Sequence, residues 1–234
     1  MKPPPVYSFI SLSIAPLLFF YLLNINVAIA APLQGSGMVR VPAGILEFNK
    51  DKKKIPVDTF FIDRYEVTQE QYEKVIGENP SFFKGGPLPI ENVNWHDADT
   101  YCHKVGKRLP TEWEWEHAAR AGSATRFYWG DAMNDAYAWY KSNSNKHTHP
   151  AGEKKPNAYG LYDMSGNVWE WTASDHEHGG KVQRGGSWRN NAISQRSGHR
   201  ILSNPIYRYH YVGFRCAHSA KPEQHPNSYN TNSD

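Results

Sequence analysis

Apolar positions recur at helical spacing in three stretches of this chain. Asn94 precedes Trp95, and Ala98, Tyr101, Cys102 and Val105 then follow at three- and four-residue intervals, so the pattern predicts a helix from Trp95 to Gly106 with Asn94 as its N-cap. Thr111 is followed three residues later by Glu114, a capping-box spacing, and Trp115, Ala118 and Ala119 carry a second helix on to Gly122. Acidic residues in its first turn suit the positive end of the helix. Gln69 to Ile76 reads as a third, shorter helix. The rest alternates short extended runs with Gly, Asn and Pro, the punctuation of loops. The expected fold class is α+β, irregular and loop-rich.

The two ends follow other patterns. Lys2, an apolar run from Ile10 to Leu23 and the small-residue site Ala28-Ile29-Ala30 make residues 1–30 an export signal. An uncleaved membrane anchor is the alternative, because apolar residues continue from Tyr7 to Ala30, although Pro16, Asn24 and Asn26 interrupt them. Either way the domain lies outside the cytoplasm, and membrane contact is expected only if the segment stays uncleaved. Residues 220–234 are polar and rich in Pro, Asn and Ser, the composition of a disordered tail.

Composition narrows the reading further. Eight Trp and fourteen Tyr at a mean hydropathy of −0.69 mean that large rings with polar atoms carry much of the burial. A net charge of +3, with no basic run longer than Lys52-Lys53-Lys54, gives no footing for nucleic acid. The length between the two ends suits one domain. The two cysteines, Cys102 and Cys216, are an even count in an exported chain, which favours a disulfide.

Three ordered motifs are more specific: Gly160-Leu161-Tyr162-Asp163-Met164-Ser165-Gly166-Asn167-Val168-Trp169-Glu170-Trp171, then Arg184-Gly185-Gly186-Ser187-Trp188, then Val212-Gly213-Phe214-Arg215-Cys216. Earlier runs extend the series: Met38 to Gly44, Phe61 to Tyr72, Pro89 to Trp95, and Gly106 to Glu116 with its Arg108-Leu109-Pro110-Thr111-Glu112-Trp113. Residues 38–219 resemble the sulfatase-modifying-factor domain, the fold of the formylglycine-generating enzyme. The resemblance implies an irregular fold distantly like that of C-type lectins, and it supports the Cys102–Cys216 pair, since both match bridged cysteines of that enzyme.

The chemistry of the resemblance is incomplete here. Formylglycine generation depends on two reactive cysteines shortly after the Gly-Gly-Ser motif, whereas Trp188 to Gln195 contains none. A thiolate is a soft ligand and nucleophile that Ser or Asn does not replace. Cysteine-dependent oxidation is therefore excluded, and no copper site is identified. The His-x-x-x-His-x-Glu iron motif of other relatives is also missing, and no iron site is identified; His147-Thr148-His149 and His176-Glu177-His178 read as loop histidines. For calcium, the resemblance implies a structural site formed by Asp163, the carbonyls of Gly166 and Val168, and Glu170, hard oxygen donors in a Gly-containing turn. The alternative is that Asp163 caps a turn and Glu170 bonds backbone amides.

The segment Arg189 to Tyr211 carries a different signal. Some proteins of the family are variable products of diversity-generating retroelements, which randomise Asn codons into codons that cannot encode Trp, Met, Lys, Glu or Gln. Those five types occur once in these 23 residues, at Gln195, against 39 times in the 151 residues from Met38 to Trp188; that frequency would give about six. The implied ligand-binding positions are Arg189, Asn190, Asn191, Ile193, Ser194, His199, Ile201, Leu202, Ser203, Asn204, Ile206, Tyr207, Tyr209, His210 and Tyr211, whose Tyr and His supply rigid contact area as antibody paratopes do. Trp169, Trp171 and Trp188 are expected in the core or floor.

The leading reading is an extracytoplasmic binding or display module whose partner is a protein or surface ligand. A cysteine-independent oxidase, resembling the family member that matures the pyoverdine chromophore, is the alternative, with Glu170, His199, Arg200, Tyr207 and His210 as its available acid, base or metal-binding groups. An accessory protein of an extracytoplasmic complex is the third.

Overall fold

The computed structural model describes residues 1–2, 37–48 and 53–220, so the expected signal at 1–30 and nearly all of the expected tail at 220–234 lie outside the described residues. Helix α1 spans Gln69–Ile76, α2 spans Trp95–Lys104 and α3 spans Glu112–Arg120. All three open on a reciprocal capping box: Thr68 with Gln71, Asn94 with Asp97, and Thr111 with Glu114. Each box satisfies two backbone donors that the first turn would leave unpaired. The sequence reading placed all three helices, running α2 and α3 two residues past their observed ends.

Strands β1 (Met38–Val41), β4 (Phe60–Asp63) and β9 (Ala217–Ser219) form one antiparallel sheet, β1-β4-β9. Strands β2 (Gly44–Phe48) and β3 (Lys53–Val57) pair as a two-stranded ribbon. The third sheet has the order β7-β6-β5-β8, from β5 (Trp169–Asp175), β6 (Lys181–Arg184), β7 (Arg200–Ser203) and β8 (Val212–Gly213). Its β5–β8 pair is parallel and the others antiparallel. The segment Arg189 to Tyr211 thus leaves β6, forms a 3-10 turn at Ala192–Gln195, adds β7 as an edge strand, and returns to the opposite edge at β8.

Two hydrophobic clusters fill the domain. One packs Val67, Tyr72, Ile90, Leu109, Trp169, Trp171 and Phe214 around the disulfide, and the other packs Phe60, Ile62, Trp115, Leu161 and Met164. Indole donors in these clusters reach main-chain acceptors, as in Trp171 Nε1 to Val93 O at 3.1 Å and Trp95 Nε1 to Thr172 O at 2.8 Å. This is how rings serve as core in a chain of low hydropathy.

Between α3 and β5 the chain runs from residue 121 to 168 with no helix or paired strand, an unusual length for a connection in a compact domain. Scattered main-chain bonds and several side chains hold it in place. Asn157 Nδ2 donates to the Ala118 and Ala119 carbonyls at 2.7 and 3.0 Å, capping α3, while its Oδ1 accepts from Tyr159 N and Leu161 N. Gly166, at φ +91°, lies against the Trp139 carbonyl where a Cβ would collide.

Cys102 of α2 and Cys216 beside β9 form a disulfide with Cα atoms 5.6 Å apart, closing a separation of 114 residues. In the chain-entropy model so long a loop contributes about 4–5 kcal/mol. Reducing agent should therefore lower the urea midpoint sharply, and the denatured, unreduced protein should titrate no free thiol.

Candidate functional site

A buried guanidinium gathers the motifs together. Arg215 has no exposed surface. Its Nε and Nη2 donate to Glu170 Oε2 and Oε1, each at 2.7 Å, and its other donors reach the carbonyls of Asp63, Arg64 and Tyr162. Trp115 Nε1 adds a third bond to Glu170, at 2.7 Å to Oε2. Glu66 accepts from Asn167 Nδ2 at 2.6 Å and Val168 N at 3.1 Å, and Asp163 Oδ2 accepts from Gly152 N at 2.7 Å.

Three buried carboxylates thus share one Arg. Burial, and then repulsion from Asp163 and Glu170, push the Glu66 carboxyl well above its ordinary range. Burial likewise lifts Asp163 to about 6, against the pull of the Gly152 amide and Arg215. Around Asp163 and Glu170, where the calcium site was expected, buried carboxylates outnumber the one guanidinium. Glu170 Oε2 already takes two donors, whereas Oε1 takes only Arg215 Nη2, leaving it one lone pair to share. Among the described residues no group of three or more His, Cys, Asp or Glu side chains forms a metal site, so the expected calcium set remains two side chains and two carbonyls.

Behind this centre, Arg184 of β6, fully buried, pairs with Glu112 at 2.7 Å and Glu116 at 2.9 Å. Glu112 also takes Arg200 at 2.8 Å. Glu112 lies in the first turn of α3, as expected, and its carboxylate also points into the domain as an ion-pair partner.

The second feature is the face built by 189–211. Trp169, Trp171 and Trp188 are buried beneath it, as expected of floor residues. Trp188 Nε1 donates to His210 O at 3.2 Å. Above the floor Tyr207, Tyr209 and Tyr211 follow one another in ring contact, with the Tyr209 and Tyr211 rings stacked 5.0 Å apart and the Arg189 guanidinium 4.4 Å over Tyr211. His210 touches Trp188 and also Phe82 and Phe83, residues far outside the segment that no local pattern singled out. Burial and nearby Arg189 hold the His210 imidazole below its usual value; burial, then Arg196 and Arg184, do the same to His199.

Two of the expected contact residues, Ser203 and Asn190, instead turn inward. Ser203 is buried on β7. Asn190 Oδ1 accepts from Trp169 Nε1 at 2.9 Å and from Ser187 Oγ at 2.5 Å, so this side chain fastens the floor. Asn191 and Asn204 hold local turns through Ile193 N and Ile206 N, both at 3.2 Å. Gln195 is buried and bonds the Ser187 carbonyl, beside Gly186, where φ is +77° and a Cβ would strike its amide.

The five groups named for the oxidase alternative do not converge. Glu170 is paired with Arg215, Arg200 lines a cavity with Phe48 and Trp113, His199 lines another with three arginines, Tyr207 is exposed and His210 lies against Trp188.

Residues 26–220 match the model of the sulfatase-modifying factor enzyme 1-like domain, and the chain belongs to that family. It is 31% identical over 218 residues to chaperone protein LppX of Paenibacillus barcinonensis, covering 64% of this chain and 78% of that protein. It is 40% identical over 153 residues to the inactive C-alpha-formylglycine-generating enzyme 2 of Mus musculus, covering 57% of this chain and half of that one. Among solved structures, variable protein 1 of Treponema denticola superposes with a TM-score of 0.70 at 30% identity, over 78% of this chain and 95% of that chain.

Two substitutions probe the interior. Arg215→Met leaves Glu170 buried without its cation, and equilibrium unfolding should show a loss of about 3–5 kcal/mol; a loss under about 1 kcal/mol would refute the anchoring role. Glu91 is fully buried, accepts Phe83 N at 2.8 Å through Oε1 and leaves Oε2 without a partner. Burial raises its carboxyl to about 7, so the stability this group contributes is full below the ordinary carboxylate range and is lost as pH rises to about 7. Glu91→Gln should flatten this fall, being roughly 1–3 kcal/mol more stable than the parent at pH 8, measured by urea melts from pH 5 to 8.

Proposed function

We propose that the protein is an extracytoplasmic binding module that uses the sulfatase-modifying-factor fold to display residues 189–211 to a protein or surface ligand, without cysteine-dependent oxidation. The observation that carries the reading is the exposed apolar face: Ile193 is 57% exposed, Leu202 45%, Ile206 62% and Tyr207 50%, with Phe82 at 70% beside His210. Exposed large apolar side chains gathered in one segment cost solubility unless a partner covers them. The Tyr rings are held against one another and His210 rests against the buried Trp188, so little freedom is lost on binding. Both cysteines are in the disulfide, which leaves no thiolate for the chemistry of the catalytic relatives.

Sequence diversification of this face is part of the proposal. It is supported by the scarcity of Trp, Met, Lys, Glu and Gln from Arg189 to Tyr211 and by the likeness to a protein named as variable. Sequencing the locus in sibling isolates should show substitutions confined to Asn-template codons between Trp188 and Val212, beside a near-copy repeat and a reverse transcriptase gene. A uniform segment without those neighbours would overturn diversification. The display role is tested separately: Ile206→Asn with Tyr207→Asn should leave the melting temperature within about 2 °C, as exposed sites do, and abolish adhesion to the ligand-bearing surface.

We also propose one structural calcium ion on Asp163, Glu170 and the carbonyls of Gly166 and Val168, supported by the excess of buried carboxylate over guanidinium. Chelation should lower the melting temperature by several degrees and added calcium restore it; an unchanged melt would refute the site.

A further inference from the structure

A surface cavity of about 300 Å³ lies between the end of α3 and the start of β7, lined by Arg120, Arg126, Arg196, Gly198 and His199. No carboxylate lines it. Arg120 is held from behind, its Nε donating to Glu116 Oε1 at 2.8 Å and its Nη1 to Thr125 O at 3.2 Å. Glu116 belongs to the buried network in which Arg120, Arg184 and Arg200 face Glu112, Glu116 and Glu177, three charges of each sign. Arg126 and Arg196 stand outside that balance. Among the described residues neither guanidinium is in an ion pair with a carboxylate, and Arg196 Nε instead donates to Ile193 O at 3.0 Å, which fixes its direction.

The backbone keeps the cavity open. Ser197 N donates to Arg126 O at 3.0 Å, joining the two walls. At Gly198 a Cβ would come within 2.9 Å of Arg120 Nη2 and 3.2 Å of Glu116 Oε1, so a side chain there would displace the Arg120–Glu116 pair. His199 adds a ring that can donate one N–H.

We propose that this cavity binds a dianionic tetrahedral oxyanion, a phosphate or a sulfate group. Two arginine charges without an ion-pair partner among the described residues match two negative charges, and guanidinium forks pair with the oxygens of such groups by parallel hydrogen bonds. The cavity exceeds what one small ion needs, leaving room for an esterified group. Arg196, Gly198 and His199 belong to 189–211, but the proposal is tested independently of the binding-module reading because the probe is an inorganic ion.

The test is a thermal-shift and calorimetric titration of the intact protein with inorganic phosphate, inorganic sulfate and phenyl phosphate, each against sodium chloride of equal ionic strength. The expected result is saturable stabilisation beyond the chloride control. Tighter binding of phenyl phosphate would identify an esterified group as the ligand class, and equal binding the free ion. Arg126→Gln and Arg196→Gln should each weaken binding at least about tenfold, while Arg126→Lys, which keeps the charge at an exposed position, should retain part of it. Circular dichroism and the unliganded melting temperature of Arg126→Gln confirm that the variant folds. No shift beyond chloride, or an unchanged affinity in both Gln variants, would overturn the proposal.

Discussion

The Arg215–Glu170 pair is the constraint on which the rest of the structure depends. A guanidinium with no exposed surface has to spend every donor inside the protein, and here the donors fasten three parts of the chain: Glu170 on β5, the main chain at Asp63 and Arg64, and that at Tyr162. Trp115 of α3 completes the set from the other side of Glu170. Removing water from such a pair is expensive, and only a fully formed set of hydrogen bonds offsets it. Such a pair is therefore a source of specificity more than of net stability.

This explains why motifs so far apart in the chain travel together. The acidic residue of Tyr65-Glu66-Val67 binds the Asn167 side chain and Val168 amide; the Trp of Glu114-Trp115-Glu116 and the Arg of Phe214-Arg215-Cys216 both bind the Glu of Trp169-Glu170-Trp171. The disulfide fastens α2 to the residue after Arg215, next to the same centre. With the interior fixed by polar groups of exact geometry, the 121–168 loop needs no regular ladder of its own. Asn157 and Gly166 fold it onto α3 and Trp139 instead.

A rigid interior leaves the surface segment free to vary. Residues 189–211 are tied down by Asn190, Gln195 and Trp188 on the inner side and by β7 and β8 at the edges of the sheet, while their outward rings and aliphatics make few demands on the fold. Binding surfaces placed on such loops combine tolerance of change with a fixed frame. The same frame sets the arginine-lined cavity beside it, where the internal ion-pair network is balanced and two guanidinium groups remain outside it.

The sequence by itself determined the helices, the family fold, the disulfide and the floor tryptophans, because capping boxes, helical periodicity and contiguous motifs are local signals. It also marked Arg189 to Tyr211 as compositionally unusual. It did not reveal that Asn190 and Ser203 face inward, that Glu112 is an interior ion-pair partner, or that Phe82 and Phe83 join the exposed face. It also left Arg120, Arg126 and Arg196 as three ordinary surface charges. Those properties arise from contacts between residues dozens of positions apart in a domain with little regular structure. No period of two or 3.6 residues says which way a loop side chain points, so the tertiary structure alone decided them.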